Sequence, residues 1–120
     1  MAAYVFRVWF RLDPDSVRVD PNEFETVLRI PAASPGEEGW LFFQRTLWRG
    51  NVGDESHLRS VAEEHLGVPV TSVSFSELET DQSYLDKLKG EIADDLAPFN
   101  ADSVDEVLHK YLGSSIHVRD

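Results

Sequence analysis

With no cysteine in the chain, there is no thiol nucleophile, thiolate metal site or disulfide, and chemistry falls to His, Asp, Glu, Arg and Trp. The four histidines are His57, His65, His109 and His117. His57 and His65 are eight residues apart, whereas a zinc pair on one helix needs a spacing of about four. His109 and His117 fall on different predicted elements. The carboxylate pairs Glu37-Glu38, Glu63-Glu64 and Asp94-Asp95 are poor acid–base dyads. Neighbours in sequence do not share a helix face, and pairs are expected in a chain this acidic. Gly50-Asn51-Val52-Gly53 precedes a helix start, where free backbone N–H groups can hold phosphate. No lysine follows it, and Asp54-Glu55 sets two negative charges there. A capping turn is the better reading, and the glycine loop of a KH domain is disfavoured. The sequence therefore assigns no catalytic residue, no metal ligand and no cofactor.

A set of arginines and tryptophans is more suggestive. Arg7, Trp9 and Arg11 alternate along a first strand, and Arg29 lies on a second. Arg45 and Arg49 share a face of a third stretch, with Trp48 on its other face. Arg7, Trp9, Arg11, Arg29, Arg45, Trp48 and Arg49 together form the candidate interaction face. Trp and Arg are enriched at interface hot spots, so such a face suits a protein partner or a second copy. It can also stack bases and hold phosphates. The ordinary alternative is cross-strand ion pairing with Glu23 and Glu25, with arginine stems covering apolar surface.

These residues need elements to position them. Tyr4, Phe6, Val8, Phe10 and Leu12 alternate with Val5, Arg7, Trp9 and Arg11, the pattern of a half-buried strand. Asp13-Pro14-Asp15 ends it, and Arg18 to Asp20 is a short stretch before Pro21. Glu23 to Ile30 is a second strand, with Phe24, Thr26, Leu28 and Ile30 on one side. Pro31 to Gly39 is a loop. Trp40 to Arg49 is rich in aromatic residues and predicts a third strand in an antiparallel meander. Asp54 caps a helix carrying Leu58, Val61, Ala62, His65 and Leu66, which Gly67 closes. Val68 to Leu78 predicts a fourth strand. Asp81 opens a second helix with Leu85, Leu88, Ile92 and Leu96 on one stripe. Ser103 and Glu106 make a capping box for a third, which Gly113 stops. Ser114 to Arg119 predicts a last edge strand. The order β-β-β-α-β-α-α-β, with short connections, predicts one α+β domain over residues 1–120. Its sheet is mostly antiparallel, with helices packed on one face.

The net charge of −11 comes from 22 acidic and 11 basic residues. Only Lys87, Lys89 and Lys110 are lysine. Like charges repel across a small surface, but at about 1 M salt the Debye length falls to about 3 Å and the repulsion is screened. Such a composition suits a salt-filled cytoplasm. The charge is uneven. Residues 1–60 hold seven Arg against nine acids, and residues 61–120 hold four basic residues against thirteen. The N-terminus enters a strand pattern with charges at Arg7 and Arg11, unlike a signal peptide. No apolar run approaches the ~18 residues of a membrane span. The expected location is cytoplasmic, without a membrane partner.

Gly39-Trp40-Leu41-Phe42-Phe43, Leu47-Trp48-Arg49-Gly50 and Lys110 to Val118 resemble the LWR-salt proteins of haloarchaea, a family named for its Leu-Trp-Arg triplet. The resemblance spans nearly the whole chain. It implies a haloarchaeal, cytoplasmic origin and supplies no catalytic residues. The leading expectation is a non-catalytic interaction module that binds a protein partner, or itself, through the Arg/Trp face or an exposed strand edge. A binder of RNA or single-stranded nucleic acid comes second. A small enzyme comes third, and it would need a pocket joining two histidines, or a histidine and a carboxylate.

Overall fold

The computed structural model describes residues 2–11 and 23–119. The alternation in the first strand decides the architecture. β1 (Ala3–Arg11) buries Tyr4, Phe6 and Val8 on one face and exposes Arg7 and Arg11 on the other. It is flanked on both sides by antiparallel partners. One is β2 (Glu23–Pro31) and the other is β5 (Val70–Thr80). The β1–β2 ladder runs without interruption, whereas the β1–β5 ladder shifts register twice. β6 (Ile116–Val118) adds to β5 in parallel, giving the order β2-β1-β5-β6. The turn Asp13–Asp15 and the stretch Arg18 to Asp20 lie outside the described residues.

The helices begin where their caps predict. α2 (Glu55–Leu66) starts at Asp54, whose carboxylate accepts from the His57 N–H at 3.1 Å. α3 (Gln82–Asp94) starts at Asp81, which accepts from the Tyr84 N–H at 2.7 Å. α4 (Val104–Leu112) starts at Ser103, which accepts from the Glu106 N–H at 3.2 Å. The Glu106 carboxylate reaches back one residue further than a standard capping box, to the Asp102 N–H at 2.9 Å. Leu58 and Ala62 of α2, Leu88 and Ile92 of α3, and Val107 and Leu112 of α4 pack with Tyr4, Phe6 and Val8 in one core. The helices thus cover one face of a mostly antiparallel sheet, as an α+β layer should. Among the described residues, no helix is long and apolar enough to cross a membrane.

Leu96, expected on the stripe of the second helix, lies beyond the end of α3, and one whole element differs from the sequence reading. Residues 40–49 are not a third strand of the main sheet. Phe42–Thr46 form a short helix, α1, followed by a two-residue strand β3 (Leu47–Trp48) that pairs with β4 (Asn51–Val52). Phe43, Thr46 and Leu47 are buried, at the spacing of one helix face. The Phe43 ring stacks on Phe99 at 6.0 Å and meets the edge of Tyr111 at 5.9 Å. The Thr46 hydroxyl donates to the Phe42 carbonyl, so its burial leaves no polar group unpaired. Burial also pushes the Tyr4 and Tyr84 hydroxyls above the usual tyrosine range. The Tyr84 hydroxyl donates to the Ala33 carbonyl at 2.8 Å.

Candidate functional site

The seven Arg and Trp residues of the candidate face occupy three places. Arg7, Trp9, Arg11 and Arg29 lie on the sheet face opposite the helices. Glutamates interleave with them there. Arg7 lies 3.9 Å from Glu25, Arg11 3.8 Å from Glu23, and Arg29 3.7 Å from Glu79. Further along, Glu77 faces His117 at 3.0 Å and Arg119 at 3.8 Å. Arg29 and Glu77 flank Val5, which is only 4% exposed although it points away from the helices. This face is a charge-balanced lattice over a small apolar strip. Each exposed pair contributes little stability, but together they leave no net positive surface.

Arg45 stands elsewhere, on α1. It lines a cleft of about 560 Å³ with Glu37, Glu38, Trp40 and His57. This cleft gathers one histidine and two carboxylates, the convergence that an enzyme would need. Among the described residues, however, no hydrogen bond joins His57 to either carboxylate, and nothing orients the ring as a general base requires. Likewise no group of three His, Asp or Glu among the described residues could hold a metal ion.

Trp48 and Arg49 form the third place, and its construction is specific. Leu47 is buried and anchors the β3–β4 hairpin, while Trp48, at 45% exposure, turns outward. The two turn residues, Arg49 (φ 52°) and Gly50 (φ 78°), both have positive φ, the type I′ pattern that favours Asn-Gly. Arginine in this region costs about 1–2 kcal/mol. The strain is held by α4. The Arg49 N–H donates to the Lys110 carbonyl at 2.7 Å, and the Gly50 N–H to the Tyr111 carbonyl at 3.0 Å. The hairpin turn thereby satisfies carbonyls that the end of α4 would otherwise leave open. Gly113 completes the joint. A Cβ there would sit 3.2 Å from the Arg49 carbonyl oxygen.

This joint gathers charge on one aromatic ring. The Arg49 guanidinium lies 5.8 Å from the Trp48 ring centre, and the Lys110 ammonium 5.6 Å from it. Lys110 is pinned in place because its ammonium also donates to the Phe99 and Asn100 carbonyls at 3.0 and 3.3 Å. The Trp48 ring in turn meets the edge of Tyr111 at 5.8 Å. Trp48, Arg49, Lys110, His109 and Glu106 line a groove of about 450 Å³. Among the described residues Arg49 has no carboxylate partner, unlike every arginine of the sheet face. Lys110 and His109 were absent from the sequence-based face. Lys110 opens the last of the three stretches that carry the family resemblance, and His109 immediately precedes it.

The model of the LWR-salt protein family matches residues 1–120. A search of curated proteins found no match, and neither did a search of solved structures.

Proposed function

The chain belongs to the LWR-salt protein family, and we propose that it is a non-catalytic interaction module of a salt-rich cytoplasm that docks an acidic segment of a protein partner on Trp48. The supporting observation is the half-exposed Trp48 ring with two cations on it, set on a chain whose net charge is −11. Cations over a Trp face attract by about 0.5–2 kcal/mol, which holds the ring and both cations together in one exposed patch. Arg49 adds a planar fork that matches a carboxylate. Strained backbone of this kind clusters at binding and active sites.

Protein is favoured over nucleic acid by the charge lattice of the sheet. Single-strand binders stack successive bases on several aromatic platforms along a positive groove. Here Trp9 is bracketed by Glu25 and Ser72 on the neighbouring strands, and Glu23, Glu77 and Glu79 line the same face. Phosphate contacts also weaken steeply as salt rises.

The test is a fluorescence titration in molar KCl with two probes of equal net charge. One is a Glu-rich peptide carrying Tyr and Leu, and the other is a single-stranded RNA. The peptide should quench Trp emission and the RNA should not. Trp48→Ala and Arg49→Ala should each weaken peptide binding tenfold or more, as hot-spot truncations do. Arg11→Ala, on the balanced lattice, should leave it unchanged. Tighter binding of RNA than of peptide, or equal losses from Arg11→Ala and Arg49→Ala, would refute the reading.

A further inference from the structure

We infer that the outer edge of β2 pairs with the same edge of a second copy, antiparallel and centred on Val27. Among the described residues β2 is paired only with β1, so its other edge carries unpaired backbone groups. Which groups point outward follows from one bond. The Ala32 N–H donates to the Ala2 carbonyl at 2.9 Å, one step beyond the end of the β1–β2 ladder. Hydrogen-bonded and open pairs alternate in an antiparallel ladder, and this ladder has no register shift. Phe24, Thr26, Leu28 and Ile30 therefore direct their N–H and C=O groups to β1. Glu25, Val27 and Arg29 direct theirs to the edge. Pro31 shares that direction and has no N–H to leave unpaired.

The side chains are self-complementary in one register. With Val27 opposite the partner's Val27, Glu25 faces the partner's Arg29, and Arg29 faces the partner's Glu25. On the core side, half-buried Phe24 meets the partner's Ile30, and Thr26 meets the partner's Leu28. All nine residues of β2 are matched. Val27, at 51% exposure the most exposed large apolar side chain among the described residues, is covered by its own copy. Opposite charges placed directly across strands favour a pairing, and like charges oppose it. Edges are ordinarily protected by charge that repels any added strand. This edge repels most strands but accepts its own, because its acid and its base stand symmetrically about Val27. The edge shares no residue with the Trp48 groove, so this inference and the proposed function fail separately.

The absence of cysteine makes the test clean. Cα atoms of a hydrogen-bonded antiparallel pair are ~5.5 Å apart, within the roughly 4.4–6.8 Å that a disulfide spans. Val27→Cys should become a covalent dimer on mild oxidation in molar KCl. Arg29→Cys should not, because position 29 and the partner's position 29 would be roughly 13 Å apart along the strand. Glu25→Cys combined with Arg29→Cys should link again. The unmodified chain should sediment at twice its 13.6 kDa mass. A monomer at every concentration would overturn the inference. So would a dimer in which Val27→Cys does not link, or equal linking through Arg29→Cys.

Discussion

Gly113→Ala should lower the stability of this chain by roughly 2–4 kcal/mol, a combination of backbone strain and a tight contact with backbone atoms. Gly113 has φ 63° and ψ −138°, a conformation that side chains rarely adopt. An added Cβ would lie 3.2 Å from the Arg49 oxygen, 3.3 Å from its carbonyl carbon and 3.4 Å from the Gly50 nitrogen. All three are backbone atoms, held by the hydrogen bonds from Arg49 to Lys110 and from Gly50 to Tyr111. No rotamer change makes room. The hairpin and the end of α4 must part by a few tenths of an ångström, which strains those two hydrogen bonds. Gly67 provides the comparison. It caps α2 at φ 72°, but nothing lies within 4 Å of the site of its Cβ. Gly67→Ala should cost only the left-handed backbone conformation, about 1–2 kcal/mol. Urea denaturation of the two variants separates the contributions. Equal losses would mean that the contact between the hairpin and α4 contributes nothing.

That same joint shows what could be read from sequence and what could not. Helix starts were legible because capping is local. Asp54, Asp81 and Ser103 each bond an N–H three residues ahead, so the signal lies within four residues of chain. The alternation of β1 was legible for the same reason. Residues 40–49 were misread because Trp40, Phe43 and Leu47 fit a helix face, while the composition favours a strand. A short apolar run does not separate the two. Burial of Phe43 between Phe99 and Tyr111 decides the matter, and that packing crosses more than fifty residues of sequence.

The placement of residues 40–49 also decides where the arginines stand. A third strand would have aligned Arg45 and Arg49 with Arg7, Arg11 and Arg29. A helix and a hairpin instead carry them away from the sheet. The glutamates that neutralise the sheet face come partly from β5, through Glu77 and Glu79, and pairing across strands has no local signature. The cation that completes the Trp48 site, Lys110, is sixty-two residues away from it in the chain. Two of the three stretches behind the family resemblance are nevertheless the two sides of one joint. Leu47 to Gly50 form the turn, and Lys110 to Gly113 form the helix end that holds it.

Raising KCl from about 0.1 M to about 3 M should stabilise the fold by on the order of 3 kcal/mol, a rise of about 10 °C in melting temperature. The magnitude follows from where the charges stand. All ion pairs among the described residues lie on the sheet face. The ion pairs of those residues include no carboxylate within α2, α3 or α4. Lys110, one of only three lysines, is committed to carbonyls and to Trp48. Nine of the eleven net negative charges fall in residues 61–120, which hold the end of α2 and all of α3 and α4. Two like charges ~15 Å apart in water repel by about 0.3 kcal/mol, and eleven uncompensated charges make on the order of fifty such pairs. A Debye length of about 10 Å at 0.1 M reduces that sum to about 3 kcal/mol, and molar salt removes nearly all of it. Neutralising variants locate the effect. Asp94→Asn with Asp95→Asn, at the exposed end of α3, should raise the low-salt melting temperature and flatten its dependence on KCl. Glu25→Gln, whose carboxylate already faces Arg7, should do neither. Identical melts at both salt concentrations would show that the acidic helical layer is not adapted to salt. A dependence equally sensitive to Glu25 would place the repulsion on the sheet, where the geometry shows the charges already balanced.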